Sequence, residues 1–156
     1  MHEPEPLFEG EQAEWCAQRR DQVVDYLDRA QLVRGDLADI PACVIYPYLS
    51  LWAVESRRAP GYIGWWVVCG DCPTDYVTAS ADQSARTALR AIAGQWREAI
   101  PYLERGEQHP DFTMGDTAHA PALARLLRAR AEALISLAED DQLWRDPTAT
   151  DNPDLR

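Results

Sequence analysis

The chain has 156 residues, of which 46% are apolar, and a formal net charge of −11 with a pI near 4.6. That length fits one domain with a core that needs no disulfide or metal, and the composition excludes a disordered chain. The negative field repels phosphates and anionic lipid, which excludes nucleic acid and membrane surfaces and favours a basic protein as partner.

All 15 basic residues are Arg. The lack of Lys rules out Schiff-base chemistry and a P-loop lysine. Met1-His2-Glu3-Pro4-Glu5-Pro6 has neither the basic nor the apolar segment of a secretory signal. No apolar run reaches the roughly 18 residues that span a bilayer. The four cysteines, Cys16, Cys43, Cys69 and Cys72, are too sparse for a disulfide framework. A cytoplasmic protein is expected.

Residues 1–8 are rich in Pro and Glu and read as a flexible acidic arm, followed by a single domain over 9–145. Residues 9–32 are helical in pattern, with Cys16, Val23, Leu27 and Ala30 near one face and Arg20, Asp21, Asp28 and Arg29 mostly off it. Gly35 and Pro41 end this element. Ile40 to Tyr48 is apolar but broken by Pro41 and Pro47, and reads as an extended linker or irregular edge strand.

Leu49 to Ser56 and Ile63 to Cys69 read as strands joined through Ala59-Pro60-Gly61-Tyr62, a type II turn pattern. If this turn closes a hairpin directly, Ser56 faces Trp65, Glu55 faces Trp66, Val54 faces Val67 and Trp52 faces Cys69. One sheet face then carries Trp52, Val54, Trp65, Val67 and Cys69, and the other carries Ala53, Glu55, Trp66 and Val68. Both are largely apolar, so both should be covered. Tyr76-Val77-Thr78 is a candidate third strand.

Ser80-Ala81-Asp82-Gln83 has capping-box form, with Ser80 as N-cap. Ala85, Leu89, Ile92, Trp96, Ile100 and Leu103 then form a continuous helical stripe, which Pro101 should end or kink. Residues 106–116 form a loop. Pro121 lies in the first turn of the last long helix, whose buried side is expected at Leu123, Leu126, Leu127, Leu134 and Leu137. Trp144 is placed to pin the chain back onto the domain, and residues 146–156 read as a disordered tail. The fold class is α+β, with three main helices packed around a small antiparallel sheet.

Four groupings could carry chemistry. Cys69-Gly70-Asp71-Cys72 is a C-x-x-C, but no helix starts directly after it and no second ligand pair matches it, so incidental thiols are the plainer reading. Glu55, Asp71 and Asp75 could gather as an acid/base or cation site; the plainer reading has Asp71 and Asp75 accepting turn N–H groups and Glu55 paired with an arginine. Arg86, Arg90 and Arg97 lie within about 40° of one another on their helix and could hold an anion. More often such a stripe is a solvated face. Trp52, Trp65, Trp66 and Trp96 could line a pocket, although their spacing suits a core. His2, His109 and His119 have no partner fixed by spacing. No cofactor and no metal site is expected.

Trp52-Ala53-Val54-Glu55-Ser56, then Pro60-Gly61-x-x-Gly64-Trp65-Trp66, then Gly70-Asp71-x-Pro73-Thr74-Asp75-Tyr76 together resemble a family of short bacterial proteins described as a domain of unknown function. The likeness runs from about residue 10 to Trp144 and includes Ala88-Leu89-Arg90, Trp96 and Leu126-Leu127-Arg128-Ala129-Arg130-Ala131. It implies a bacterial, cytoplasmic, single-domain protein and supplies no catalytic residues.

These observations point to a non-enzymatic interaction or regulatory module that binds a basic protein partner. The alternative is a small-molecule enzyme or sensor, with a site near Glu55, Trp66, Asp71 and Arg90 and a small anionic ligand. A homo-oligomer, joined through exposed aromatic surface, fits either reading.

Overall fold

The computed structural model describes residues 10–32, 34–80, 84–111 and 119–145. The N-terminal arm, the C-terminal tail, residues 81–83 of the Ser80 capping pattern and residues 112–116 of the expected 106–116 loop lie outside the described residues. The elements in order are α1 (Gly10–Ala30), β1 (Cys43–Ile45), β2 (Leu49–Glu55), β3 (Ile63–Gly70), β4 (Cys72–Thr78), α2 (Ala85–Glu104), α3 (Ala120–Glu139) and α4 (Asp141–Arg145). The strands form one antiparallel sheet in the order β1-β2-β3-β4. The α+β class therefore holds.

β2 and β3 are apolar on both faces because both faces are covered. Trp52, Val54, Val67 and Cys69 pack with Val23 and Leu27 of α1. Leu51, Ala53, Trp66 and Val68 pack with α2 and α3. The register differs from the expected one. Val54 faces Trp65, Ala53 faces Trp66 and Trp52 faces Val67. Ser56 meets Tyr62 rather than Trp65, and Glu55 faces Ile63 across an irregularity at Val54/Glu55. The turn does have Gly61 at φ +88, with Tyr62 N–H donating to the Ala59 carbonyl. However, the chain leaves the ladder at Ser56, so Arg57 and Arg58 belong to the loop. Because the pairing up to Val54 slips by two residues, Trp52, Val54, Trp65, Val67 and Cys69 keep one expected face and Ala53, Trp66 and Val68 the other.

The expected short third strand is the longer β4, and Cys43–Ile45 is the edge strand β1. Upstream of it, Leu37 bridges Val54, and Ala38 N–H donates to the Ala53 carbonyl. Pro41 sits between these pairings, where it has no N–H to lose.

α2 starts four residues later than the Ser80 pattern suggests. Ser84 is its N-cap, with Thr87 returning a hydroxyl to the Ser84 N–H at 2.7 Å. The box closes with Thr in the role more usual for Glu or Gln. Pro101 does not end the helix, which runs on to Glu104. Pro101 offers no N–H to the Arg97 carbonyl, but buried Ile100 and Leu103 hold the last turn on the core.

α3 packs antiparallel to α2, since Arg86 meets the Ala138 carbonyl at one end and Arg128 meets Glu104 at the other. Its buried residues, Ala120, Ala124, Leu127, Ala131, Leu134 and Ala138, recur in alternating steps of four and three, as in a coiled-coil seam. Leu126, expected inside, is 37% exposed. Alanine holds the seam instead and lets the helices approach closely. Ala30 likewise lies exposed at the end of α1. Arg20, expected off the buried face of α1, is half-buried and donates to the Leu37 and Ala38 carbonyls. Trp144 is half-buried against the core and donates to the Leu137 carbonyl at 2.9 Å.

Candidate functional site

A groove lies at one end of the sheet, between the β1–β2 turn, the β3–β4 turn and the second half of α3. Gly70 sets its shape. At φ +140 it lies so close to Tyr48 that a Cβ would sit 2.4 Å from the Tyr48 carbonyl oxygen. That oxygen accepts the Asp71 N–H at 2.7 Å. The Gly70-Asp71 pair thus clamps one turn onto the other, and only glycine fits there.

The groove holds about 450 Å³ and is lined chiefly by Ile45, Tyr48, Leu49, Cys72, Leu134 and Leu137. Asp71 and Asp140 stand exposed at its rim, and half-buried Arg130 completes it. Arg130 donates to the Asp71 carboxylate at 3.0 Å and to the Asp71 carbonyl, which ties α3 to the β3–β4 turn. Tyr48 is 61% exposed. Burial pushes the Cys72 thiol up to about 12, so it is neutral and a poor nucleophile at neutral pH. An apolar trough with a few polar groups at its lip suits an apolar ligand or side chain.

The eight candidate residues read from the sequence do not form one site. Glu55 is half-buried at the far end of β2, where its backbone pairs with Gly35 and Asp36. A Cβ on Gly35 would lie 3.0 Å from Glu55 Oε1. Asp71 lies just past the opposite end of β3, eight residues beyond the Ile63 that faces Glu55, or roughly 25 Å away by strand rise. Trp66 is buried on the α2 side, and its indole N–H has no hydrogen-bond partner among the described residues. Trp65 is half-buried on the α1 side, edge-on to Tyr76 at 5.5 Å.

Asp75 is buried and joins β4 to α2. It accepts from Trp96 Nε1 at 2.8 Å, Gln95 Nε2 at 2.9 Å and the Tyr76 N–H at 2.9 Å. Burial raises its pKa, and the three donors partly oppose that shift. Two of these partners, Trp96 and Gln95, come from a helix that the sequence leaves unassigned to Asp75.

Arg86 and Arg90 both donate to the Ala138 carbonyl, and Arg86 also pairs with Asp141. They cap the C-terminal end of α3, where cations answer the helix dipole. Arg97 lies exposed further along α2. Cys69 packs on the α1 side of the sheet and Cys72 against the other side. No disulfide joins the cysteines. Among the described residues no three His, Cys, Asp or Glu side chains gather as a metal site.

Sequence reasoning missed Tyr48, Ile45 and Arg130 in this groove. No signal in the sequence placed them there: the five leucines expected on the buried side of α3 span about 100° of arc, the width of an ordinary single stripe, and so do not announce a second neighbour at the end of the sheet.

Among the described residues no helix is long and apolar enough to cross a membrane. No curated protein and no solved structure matches the chain. One family model does match, over residues 9–144, and the chain therefore belongs to the family described as Domain of unknown function (DUF4826).

Proposed function

We propose that this protein is a non-enzymatic cytoplasmic interaction module that takes a basic, amphipathic segment of a partner protein in the groove beside α3. The observation that carries this reading is the groove's chemistry: an apolar floor lined by Leu134, Leu137 and Tyr48, with Asp71 and Asp140 at the rim. A helix-in-groove partner needs an apolar trough for its anchors. The net charge of −11 steers a cationic segment toward it.

The test uses a designed amphipathic Leu/Lys peptide and its Leu/Glu counterpart as probes, followed by fluorescence anisotropy at low and high salt. The Leu/Lys peptide is expected to bind the full chain, more weakly as salt rises, and to lose about tenfold in affinity on Tyr48→Ala. Tyr48 is exposed, so that variant keeps its fold; Leu137→Glu is the second, more severe probe of the same floor. Equal binding of both peptides, or no effect of either substitution, overturns the reading. A concentration-dependent dimer that buries Tyr48 would instead assign the groove to a second copy of this chain.

A further inference from the structure

We infer that the opposite end of the sheet holds a second site, for a small molecule with a flat apolar body and a phosphate or carboxylate group. The β2–β3 loop and the adjoining strand ends enclose a cleft of about 580 Å³. Leu32, Ile63 and Trp65 supply its apolar wall, and Arg57 and Arg58 its charge. This volume lies within the range of small-molecule sites.

The charge pattern runs against the composition. The chain carries 26 acidic residues against 15 basic ones, yet among the described residues no carboxylate lines this cleft. The groove beside α3 and the cleft at Asp75 both include acids. Nor does either guanidinium form an ion pair among the described residues. Two adjacent arginines with no carboxylate paired to them among the described residues, beside a half-exposed indole, offer two guanidiniums to an oxyanion next to a surface for a ring.

The backbone that carries these groups is fixed. Ser56 N–H donates to the Tyr62 carbonyl at 2.8 Å, Tyr62 N–H to the Ala59 carbonyl at 3.0 Å, and Ala59 N–H to Ser56 Oγ at 3.2 Å. A Cβ on Gly64 would lie 2.9 Å from Ser56 Cα, so the loop root is packed tight. Ala79 N–H donates to the Gly64 carbonyl at 2.9 Å and closes the third side. What remains to be ordered on binding is exposed side chains such as Arg57, Arg58 and Tyr62 and not the backbone, which limits the entropic cost.

The experiment titrates the full-length ¹⁵N-labelled protein with phenyl phosphate, with benzoate and phenol as controls, and reads amide and indole shifts. Phenyl phosphate is expected to give saturable shifts at the Trp65 indole and over residues 56–65, leaving the α3 groove unmoved. Phenol, which has the ring without the anion, should shift neither. Stronger binding of phenyl phosphate than of benzoate assigns the arginine pair to phosphate, and the reverse order assigns it to carboxylate. Arg57→Ala/Arg58→Ala should weaken phenyl phosphate about tenfold or more, and Arg57→Lys/Arg58→Lys should fall between, since charge survives but the guanidinium does not. Both arginines sit on an exposed turn, and a dispersed amide spectrum of each free variant shows that it folds; Arg57→Gln/Arg58→Gln serves if the alanine pair does not. No saturable shift, shifts equal to those of phenol, or unchanged affinity in a folded variant overturns the proposal.

Discussion

At one end of the sheet Gly70, at φ +140, locks the β3–β4 turn against Tyr48 and frames an apolar groove with two carboxylates and one guanidinium in its lining. At the other end Gly61, at φ +88, turns the chain between β2 and β3 and leaves two guanidiniums beside a cleft walled by Leu32, Ile63 and Trp65. Both ends rest on a glycine that an L side chain would strain, but they differ in how much surrounds it. A Cβ on Gly70 meets backbone at 2.4 Å, whereas a Cβ on Gly61 meets nothing within 4 Å. The first turn is part of the packed fold. The second is a surface loop whose shape is local.

That contrast predicts the largest effect. Gly70→Ala adds a backbone clash to an unfavourable φ and should cost about 3 kcal/mol or more in urea unfolding. Gly61→Ala carries only the φ penalty and should cost about 1 kcal/mol. Equal losses at the two positions would show that the clamp on Tyr48 is not what holds the groove end together.

Between the two ends stands Asp75, which joins the sheet to α2. Asp75→Asn replaces an acceptor by an amide whose NH₂ group faces the Trp96 and Gln95 donors, and should cost about 2 kcal/mol. The pH dependence has a definite sign. Burial raises the native pKa of Asp75 above its ordinary carboxylate value. Between those two values the native state holds a proton that the unfolded chain has released. Its contribution to stability is therefore fully present below the unfolded pKa and is lost as pH rises through the native one. Thermal unfolding of the wild type minus that of Asp75→Asn, followed upward from about pH 4, isolates this slope. A difference that grows in the opposite direction would mean that the three donors outweigh desolvation.

The covered faces of the sheet were readable because period-two alternation survives a slip of two residues, so Trp52, Val54, Trp66 and Val68 fell on the right sides even in the wrong register. The α2 stripe was equally clear, from Ala85 to Leu103. Contacts between elements distant in sequence left no periodic signal. Nothing in the Asp75 neighbourhood announces Trp96, and nothing around Asp71 announces Arg130, 59 residues away. Ser50 is a similar case. It is fully buried between the Trp52 indole N–H, from which it accepts, and the Cys69 carbonyl, to which it donates. A serine in an apolar strand reads as a weak strand former until its two partners are known. The arginine stripe on α2 misled because helical spacing shows that Arg86 and Arg90 share a face and not that the C-terminus of α3 lies across from them.

The smallest effect separates stability from recognition at the groove. Arg130 and Asp71 form a partly exposed pair, with side chains 34% and 61% accessible. Such pairs contribute little, so Arg130→Ala should lower stability by only about 0.5 kcal/mol. The same change leaves Asp71 unpaired at the rim and makes the groove more acidic. If a basic segment is the partner, Arg130→Ala should bind the Leu/Lys peptide about twofold more tightly at low salt, and the gain should vanish at high salt as screening shortens the reach of the free carboxylate. A neutral or apolar partner predicts no gain. Weaker binding would show that Arg130 itself contacts the ligand, and the groove would then be an anion-accepting site like the cleft at the other end of the sheet.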